Sequence, residues 1–165
     1  MITHSLAWVE GELHEMRWLL LGGTLLAGFG LAAKLLATTP GARAVACPLL
    51  VLGAATLAMG AGFTASNLQR RSAWPVAYAA DPVGFAEAER RRVTAFTAWY
   101  PRTRYVVAAF AVVALGLMIH AEGPRARPAL WGWGFALFLF AGFTFLVDHF
   151  SEERARAYAE AIGAS

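Results

Sequence analysis

Four long apolar stretches, separated by polar segments, dominate the pattern of the chain. They cover residues 18–36, 44–66, 105–120 and 129–147. Each is close to the length of about 20 residues that an α-helix needs to cross a hydrocarbon core about 30 Å thick. A spanning segment must satisfy its backbone polar groups internally, as a helix does. We therefore predict an all-α membrane protein, one domain over 1–165, with four transmembrane helices arranged as two hairpins.

In each of the two predicted hairpins, one short turn joins the two apolar stretches. The first covers residues 38–43 and the second covers residues 121–128, and both contain proline, glycine and arginine. Proline fixes φ and glycine permits positive φ, so this composition interrupts a helix. The turns therefore predict tight connections at one side of the membrane.

Both ends of the chain are polar and show helical spacing. Residues 1–16 predict a short amphipathic helix leading into the membrane, with Leu6, Val9, Leu13 and Met16 on one side. The tail, residues 148–165, predicts a second short helix capped by Ser151. One side of this tail helix would carry Ala155, Tyr158 and Ile162.

Small residues recur at a spacing of four in the second apolar stretch, at Ala54, Ala58 and Gly62. Such a ridge allows two membrane helices to approach closely. It is a candidate for helix packing, although alanine-rich stretches also produce this spacing by chance.

The longest polar segment is the connector, residues 67–104, which divides the apolar stretches into two pairs. Asp81 followed by Pro82 is typical of an N-cap and the first position of a helix. We predict an amphipathic helix there, with an apolar side formed by Phe85, Ala88, Val93, Phe96, Trp99 and Tyr100. Two interpretations stay open: a helix lying at the cytoplasmic membrane surface, or a docking surface for a partner protein.

Two charges fall inside the apolar side of the connector helix. Glu89 and Arg92 are three residues apart, a spacing at which they can pair. In the docking interpretation they would be specificity contacts. The candidate partner-binding residues are Phe85, Glu89, Arg92, Phe96 and Trp99.

Composition and charge support the membrane assignment and indicate an orientation. Hydrophobic residues make up 58% of the chain and charged residues 15%, against about 45–50% and 25% in soluble domains. Ten of the fourteen basic residues lie in the two ends and the connector. The positive-inside rule then predicts a multi-pass membrane protein with both termini and the connector in the cytoplasm. Clustered arginines with a net charge of +3 do not form the broad basic face that nucleic acid requires.

Histidine and carboxylate side chains flank the first and last apolar stretches on the predicted cytoplasmic side. Imidazole and carboxylate groups together suit zinc or a similar divalent ion. The weak metal candidates are Glu10, His14, Asp148, His149 and Glu152. No P-loop, HExxH, GxSxG or CxxC pattern occurs, so we predict neither a catalytic residue nor a cofactor.

Two patterns resemble small uncharacterised bacterial inner-membrane proteins with four spans. The patterns are Asp81-Pro82…Phe85…Glu89…Arg92, and Phe150-Ser151-Glu152-Glu153-Arg154-Ala155…Tyr158…Ala161-Ile162. Some proteins of that general size serve as immunity proteins against membrane-targeting toxins. The resemblance implies a four-span shape and carries no chemistry for individual residues.

Three hypotheses for function follow. The first is a non-enzymatic inner-membrane protein that acts by protein–protein interaction, for example as an immunity or accessory subunit. The second is a dimeric small transporter or channel subunit, because Ala-Gly-Phe-Thr recurs at residues 61–64 and 141–144 in the two predicted hairpins. The third is a metal-dependent membrane enzyme. The expected partners are the lipid bilayer and either another protein or further copies of this chain.

Overall fold

A computed structural model describes residues 1–122 and 127–163, and this part of the chain is helical with no β-strand. The helices are α1 (Ile2–Leu36), α2 (Pro40–Ala44), α3 (Ala46–Ala80), α4 (Pro82–Thr97), α5 (Tyr100–Ala121) and α6 (Pro128–Ala161). Four stretches of helix in the described residues are long and apolar enough to cross a membrane. The all-α, multi-pass class predicted from the pattern is therefore confirmed. Of the predicted turn over 121–128, residues 123–126 lie outside the described ranges.

Three helices run well past the ends of the predicted spans. Helices α1 and α3 have 35 residues each and α6 has 34. At 1.5 Å per residue each is about 50 Å long, roughly 20 Å more than the hydrocarbon core. The prediction of separate short helices at the two chain ends was wrong. No break interrupts the backbone hydrogen bonds at the span ends, so each helix continues, and Ser151 lies within α6 instead of capping a new helix.

The connector consists of three parts. Residues 67–80 continue α3, α4 follows, and α5 already begins at Tyr100. The predicted start of α4 is confirmed, because the Asp81 carboxylate accepts a hydrogen bond from the Gly84 N–H at 2.9 Å and Pro82 occupies the first turn. Proline lacks the N–H that would otherwise need a partner at this position.

We call the part of the structure that contains the four apolar stretches the apolar region. Within it, α1 packs antiparallel along α3 through close contacts at glycine residues. A Cβ built on Gly53 would lie 2.5 Å from the Ala27 nitrogen, and one on Gly30 would lie 2.8 Å from the Leu50 nitrogen. Real Cβ atoms do not approach backbone this closely, so the two helix backbones are in direct contact. The candidate ridge of Ala54, Ala58 and Gly62 does not form this contact, because those three residues are exposed and the contact uses another side of α3.

Helix α5 packs antiparallel along α6 through a similar close contact at a glycine. A Cβ on Gly134 would lie 2.7 Å from the Ala114 carbonyl oxygen. At the end of the molecule far from the connector, Gly132 of α6 makes an equally close approach to the Ala44 carbonyl of α2. This contact joins the α1–α3 pair to the α5–α6 pair.

The helix extensions assemble into a second region, which we call the head. It comprises residues 2–17 of α1, 67–80 of α3, all of α4 and 148–161 of α6. Its core, closed by Ile162 just after α6, is the main cluster of buried apolar side chains: Trp8, Val9, Val93, Ala155, Tyr158, Ala159 and Ile162. The predicted shared face of Ala155, Tyr158 and Ile162 is confirmed, because all three belong to this core.

Candidate functional site: the head and its polar cleft

A buried network centres on Glu89, which is 4% exposed. Arg92 donates to both of its carboxylate oxygens, at 2.8 and 2.6 Å, which confirms the predicted pairing. The Tyr158 hydroxyl donates to the same carboxylate at 2.6 Å and lies 2.8 Å from the Ser5 hydroxyl. Burial and the neighbouring carboxylate raise the pKa of Tyr158, so this hydroxyl remains a donor. The network joins α1, α4 and α6.

The guanidinium of Arg92 extends this network to α3. It lies 5.2 Å from the centre of the Trp74 ring and 5.1 Å from that of Phe96. Burial disfavours its charge most strongly, but the hydrogen bonds to Glu89 and the negative charges of Glu89 and Glu12 together outweigh burial and raise the pKa of Arg92. Both members of the predicted charge pair therefore serve an internal role and bind the connector into the head.

A second network joins α1 to α6. Arg154 pairs with Glu12 at 3.0 Å and with Glu15 at 2.6 Å, and its guanidinium lies 5.1 Å from the Trp8 ring centre. The Ser151 hydroxyl donates to Glu15. Burial raises the pKa of Glu12, while Arg154 acts in the opposite direction. Since Arg154 faces two carboxylates, one arginine neutralises at most one of them.

The five candidate partner-binding residues lie in different environments. Glu89 and Arg92 are engaged as described, and Phe96 is half-buried against the core of the head. The half-buried Phe85 ring packs edge-on against Trp74 and Tyr78. Trp99 is 59% exposed, with the Arg102 guanidinium 4.9 Å from its ring centre. Trp99 is thus the member of the set that is open to a partner.

The candidate metal ligands do not converge. The described residues contain no group of three or more His, Cys, Asp or Glu that could hold a metal ion. Each candidate contacts a different neighbour: Glu10 contacts Arg71, His14 contacts Trp18, Asp148 contacts Thr103, His149 contacts Glu153, and Glu152 contacts Arg104 and Arg156. Each polar side chain on which the metal hypothesis was based therefore has a contact of its own, with a residue outside that set.

A polar cleft opens where the head meets the apolar region. Its upper chamber, of about 270 Å³, is lined by Trp8, Glu12, Phe63, Asn67, Arg70 and Tyr100, with Arg92 and Phe96 completing the wall. A lower chamber of about 250 Å³ shares Glu12, Phe63 and Tyr100 with it and reaches Met59, Thr144 and Asp148. The cleft therefore lies between the α1–α3 pair and the α5–α6 pair.

Asn67 and Arg70 are site residues that the sequence analysis did not single out. Asn67 is 2% exposed, and its side-chain oxygen accepts a hydrogen bond from Arg70 at 3.1 Å. Burial and the nearby charge of Arg92 lower the pKa of Arg70. The signal available in the sequence was an asparagine placed one turn before an arginine at the end of an apolar stretch. That signal does not reveal which way the two side chains face.

No protein-family model, curated protein or solved structure matches this chain. The features that bear on function are therefore its own contacts, charges and exposed surfaces. They fall into two groups, the outer side of the head and the polar cleft beneath it.

Proposed function

We propose that the protein is a non-enzymatic, multi-pass protein of a bacterial inner membrane that acts by binding another protein through its head. The four spans form two hairpins, and the head with both termini lies in the cytoplasm. The distribution of basic residues supports this orientation, because ten of fourteen belong to the two ends and the connector. An immunity or accessory subunit would have this arrangement.

The observation that carries the proposal is the fixed position of α4. Its inner side is held by Val93 and the Glu89–Arg92 network, so this helix cannot lie with its apolar side in lipid. Its outer side presents Arg91, whose side chain is 84% exposed, and the exposed Val83. Trp99 follows directly after the helix, in the turn before α5.

Arginine and tryptophan are enriched at the centres of protein interfaces. Arg91 on the outer side of α4 and Trp99 in the turn after it combine them on a segment that is already ordered, so a partner would not have to order it on binding. Exposed arginines favour a partner surface with acidic groups. We therefore expect an acidic and partly apolar docking surface on the partner.

The test is site-specific cross-linking in native membranes from a photoreactive residue at position 91, followed by reconstitution with the identified protein. We expect Arg91→Glu combined with Trp99→Ala to weaken binding at least tenfold. Phe145→Ala, which removes an exposed ring from the apolar part of α6, is the matched control and should bind normally. Unchanged binding by the double variant, with the head still folded, would contradict the proposal.

A dimeric transporter or channel subunit is the second candidate, favoured by the polar cleft between the helix pairs. Glu12, Asn67 and Asp148 contribute polar groups there, but the lower chamber continues to Met59 and Leu19, which are apolar. Flux of a small ion across vesicles that is reduced by Asp148→Asn would support this alternative. A metal-dependent enzyme has less support, because the candidate ligands have separate partners.

A further inference from the structure

We propose that the cleft beside Arg70 binds the phosphate of an anionic phospholipid, whose acyl chains descend along Phe63 and Met59. This site is separate from the outer side of α4. It goes beyond the proposed function, and it would exist whether or not the head binds a protein.

The first support is the state of Arg70. Among the described residues, no carboxylate lies within salt-bridge distance of its guanidinium, which donates a hydrogen bond to the neutral amide of Asn67. The amide is almost fully buried, so it holds the guanidinium at the cleft wall. Arginine held in this way presents its remaining N–H groups to a phosphate, which it binds in bidentate geometry.

The second support is the charge around Arg70. Arg92, on the same wall, has its own carboxylate in Glu89, at 2.6 Å. The carboxylate that lines the same chamber as Arg70 is Glu12, which is paired with Arg154 at 3.0 Å. Burial lowers the pKa of Arg70, so its guanidinium would gain from an anionic ligand in the cleft, whereas the Glu12 carboxylate would oppose that ligand.

The third support is the level at which Arg70 lies. It follows the predicted end of the second span, residue 66, by four residues, which is about 6 Å along the helix. The headgroup layer on each side of the hydrocarbon core is about 5–8 Å thick. A lipid phosphate in the surrounding leaflet therefore lies at the same depth as this guanidinium.

The fourth support is the shape of the cleft. Phe63, which is 51% exposed, stands at its opening, and the lower chamber beside it is lined by Met59 and Leu19. An arginine beside the exposed apolar side chains of Phe63 and Met59 on α3 matches an amphipathic ligand better than a soluble ion. Basic pockets between membrane helices on the cytoplasmic side are known to hold anionic lipid headgroups.

The test uses purified full-length protein in a neutral detergent, with thermal unfolding measured as phosphatidylglycerol is added. We expect phosphatidylglycerol to raise Tm in a saturable way and phosphatidylcholine to have little effect. Arg70→Gln should weaken the apparent affinity about tenfold. Arg71→Gln is the matched control, because Arg71 is the next residue, is exposed and pairs with Glu10 at 3.5 Å. It should retain the wild-type response.

The Glu12→Gln variant should change the affinity for phosphatidylglycerol in the opposite direction from Arg70→Gln. Removing this carboxylate eliminates the competing negative charge. We therefore expect phosphatidylglycerol to bind the variant several-fold more tightly than it binds the wild-type protein. Equal responses of Arg70→Gln and Arg71→Gln would overturn the site. Equal stabilisation by sodium phosphate would overturn the lipid assignment in favour of a soluble anion.

Discussion

The apolar region and the head are both built from helices, but different contacts hold them together. In the apolar region, glycines such as Gly30 and Gly53 bring helix backbones into contact. In the head, the contacts are aromatic and charged, with Trp8 stacked on Tyr158 and Glu89 paired with Arg92. The three helices α1, α3 and α6 run through both regions and therefore change their packing chemistry along their length.

The surrounding solvent explains this difference. Lipid is as apolar as a leucine side chain, so burying apolar side chains between membrane helices gains little, and close backbone packing takes its place. Outside the hydrocarbon, water drives the burial of Trp8 and Val93. Charges enter the core of the head because each finds partners there, as buried ions must.

The largest expected effect is in the core of the head. Glu89→Ala leaves Arg92 and the Tyr158 hydroxyl without their shared partner, and removing one member of a buried pair costs about 3–5 kcal/mol. We expect the head to lose protection in hydrogen exchange while the apolar region keeps its own. Glu87→Ala, which removes an exposed carboxylate from the same helix, is the control and should change stability by less than about 0.5 kcal/mol. Equal protection of the head in both variants would contradict the internal role of Glu89.

The next effect is in the apolar region. Gly53→Ala places a Cβ 2.5 Å from the Ala27 nitrogen, so α1 and α3 must separate, at a cost of about 1–3 kcal/mol. Gly62→Ala is the matched control because a Cβ at Gly62 meets nothing within 4 Å. Unfolding in mixed micelles of increasing denaturing detergent measures both. Equal stability of the two variants would show that close glycine contacts do not stabilise the apolar region.

A smaller effect is expected for one hydroxyl in the head. Tyr158→Phe keeps the ring stacked on Trp8 but removes a donor to the Glu89 carboxylate, which Arg92 still holds, so we expect a cost of about 1.5 kcal/mol, the lower end for a hydrogen bond to a charged group. Tyr105→Phe changes a residue that is largely exposed and should leave stability unaffected. Chemical denaturation monitored by tryptophan fluorescence compares the two. A loss as large for Tyr105→Phe would show that the buried hydroxyl has no special role.

The smallest expected effect depends on pH. Burial holds the pKa of Glu12 above its usual value, so the folded state binds this proton more tightly than the unfolded state. Its contribution to stability should therefore rise as the pH falls through the folded pKa towards the unfolded value. Measured as Tm between neutral pH and about pH 5, this rise should be smaller in Glu12→Gln than in wild type. An identical pH profile in the two proteins would show that Glu12 is not perturbed.

Several features could be predicted from the sequence because they depend on neighbours along the chain. The four apolar stretches, the start of α4 at Asp81 and Pro82, and the Glu89–Arg92 pair all follow from local spacing. So does the shared face of Ala155, Tyr158 and Ile162. Local hydrogen bonds and helical periodicity are sufficient to determine these features, and the structure contains them as predicted.

Tertiary structure decided what those features do. The sequence marked the apolar side of α4 but not whether lipid, a partner or the rest of the chain would cover it, and the head covers most of it with α1, α3 and α6. It also could not show which face of α3 meets α1, or that Asn67 and Arg70 line a cleft. Helix periodicity determines which residues share a face, whereas the burial of that face depends on segments distant in the chain. For that reason the sequence determined that the chain has four long apolar helices, and the fold determined the head and its cleft.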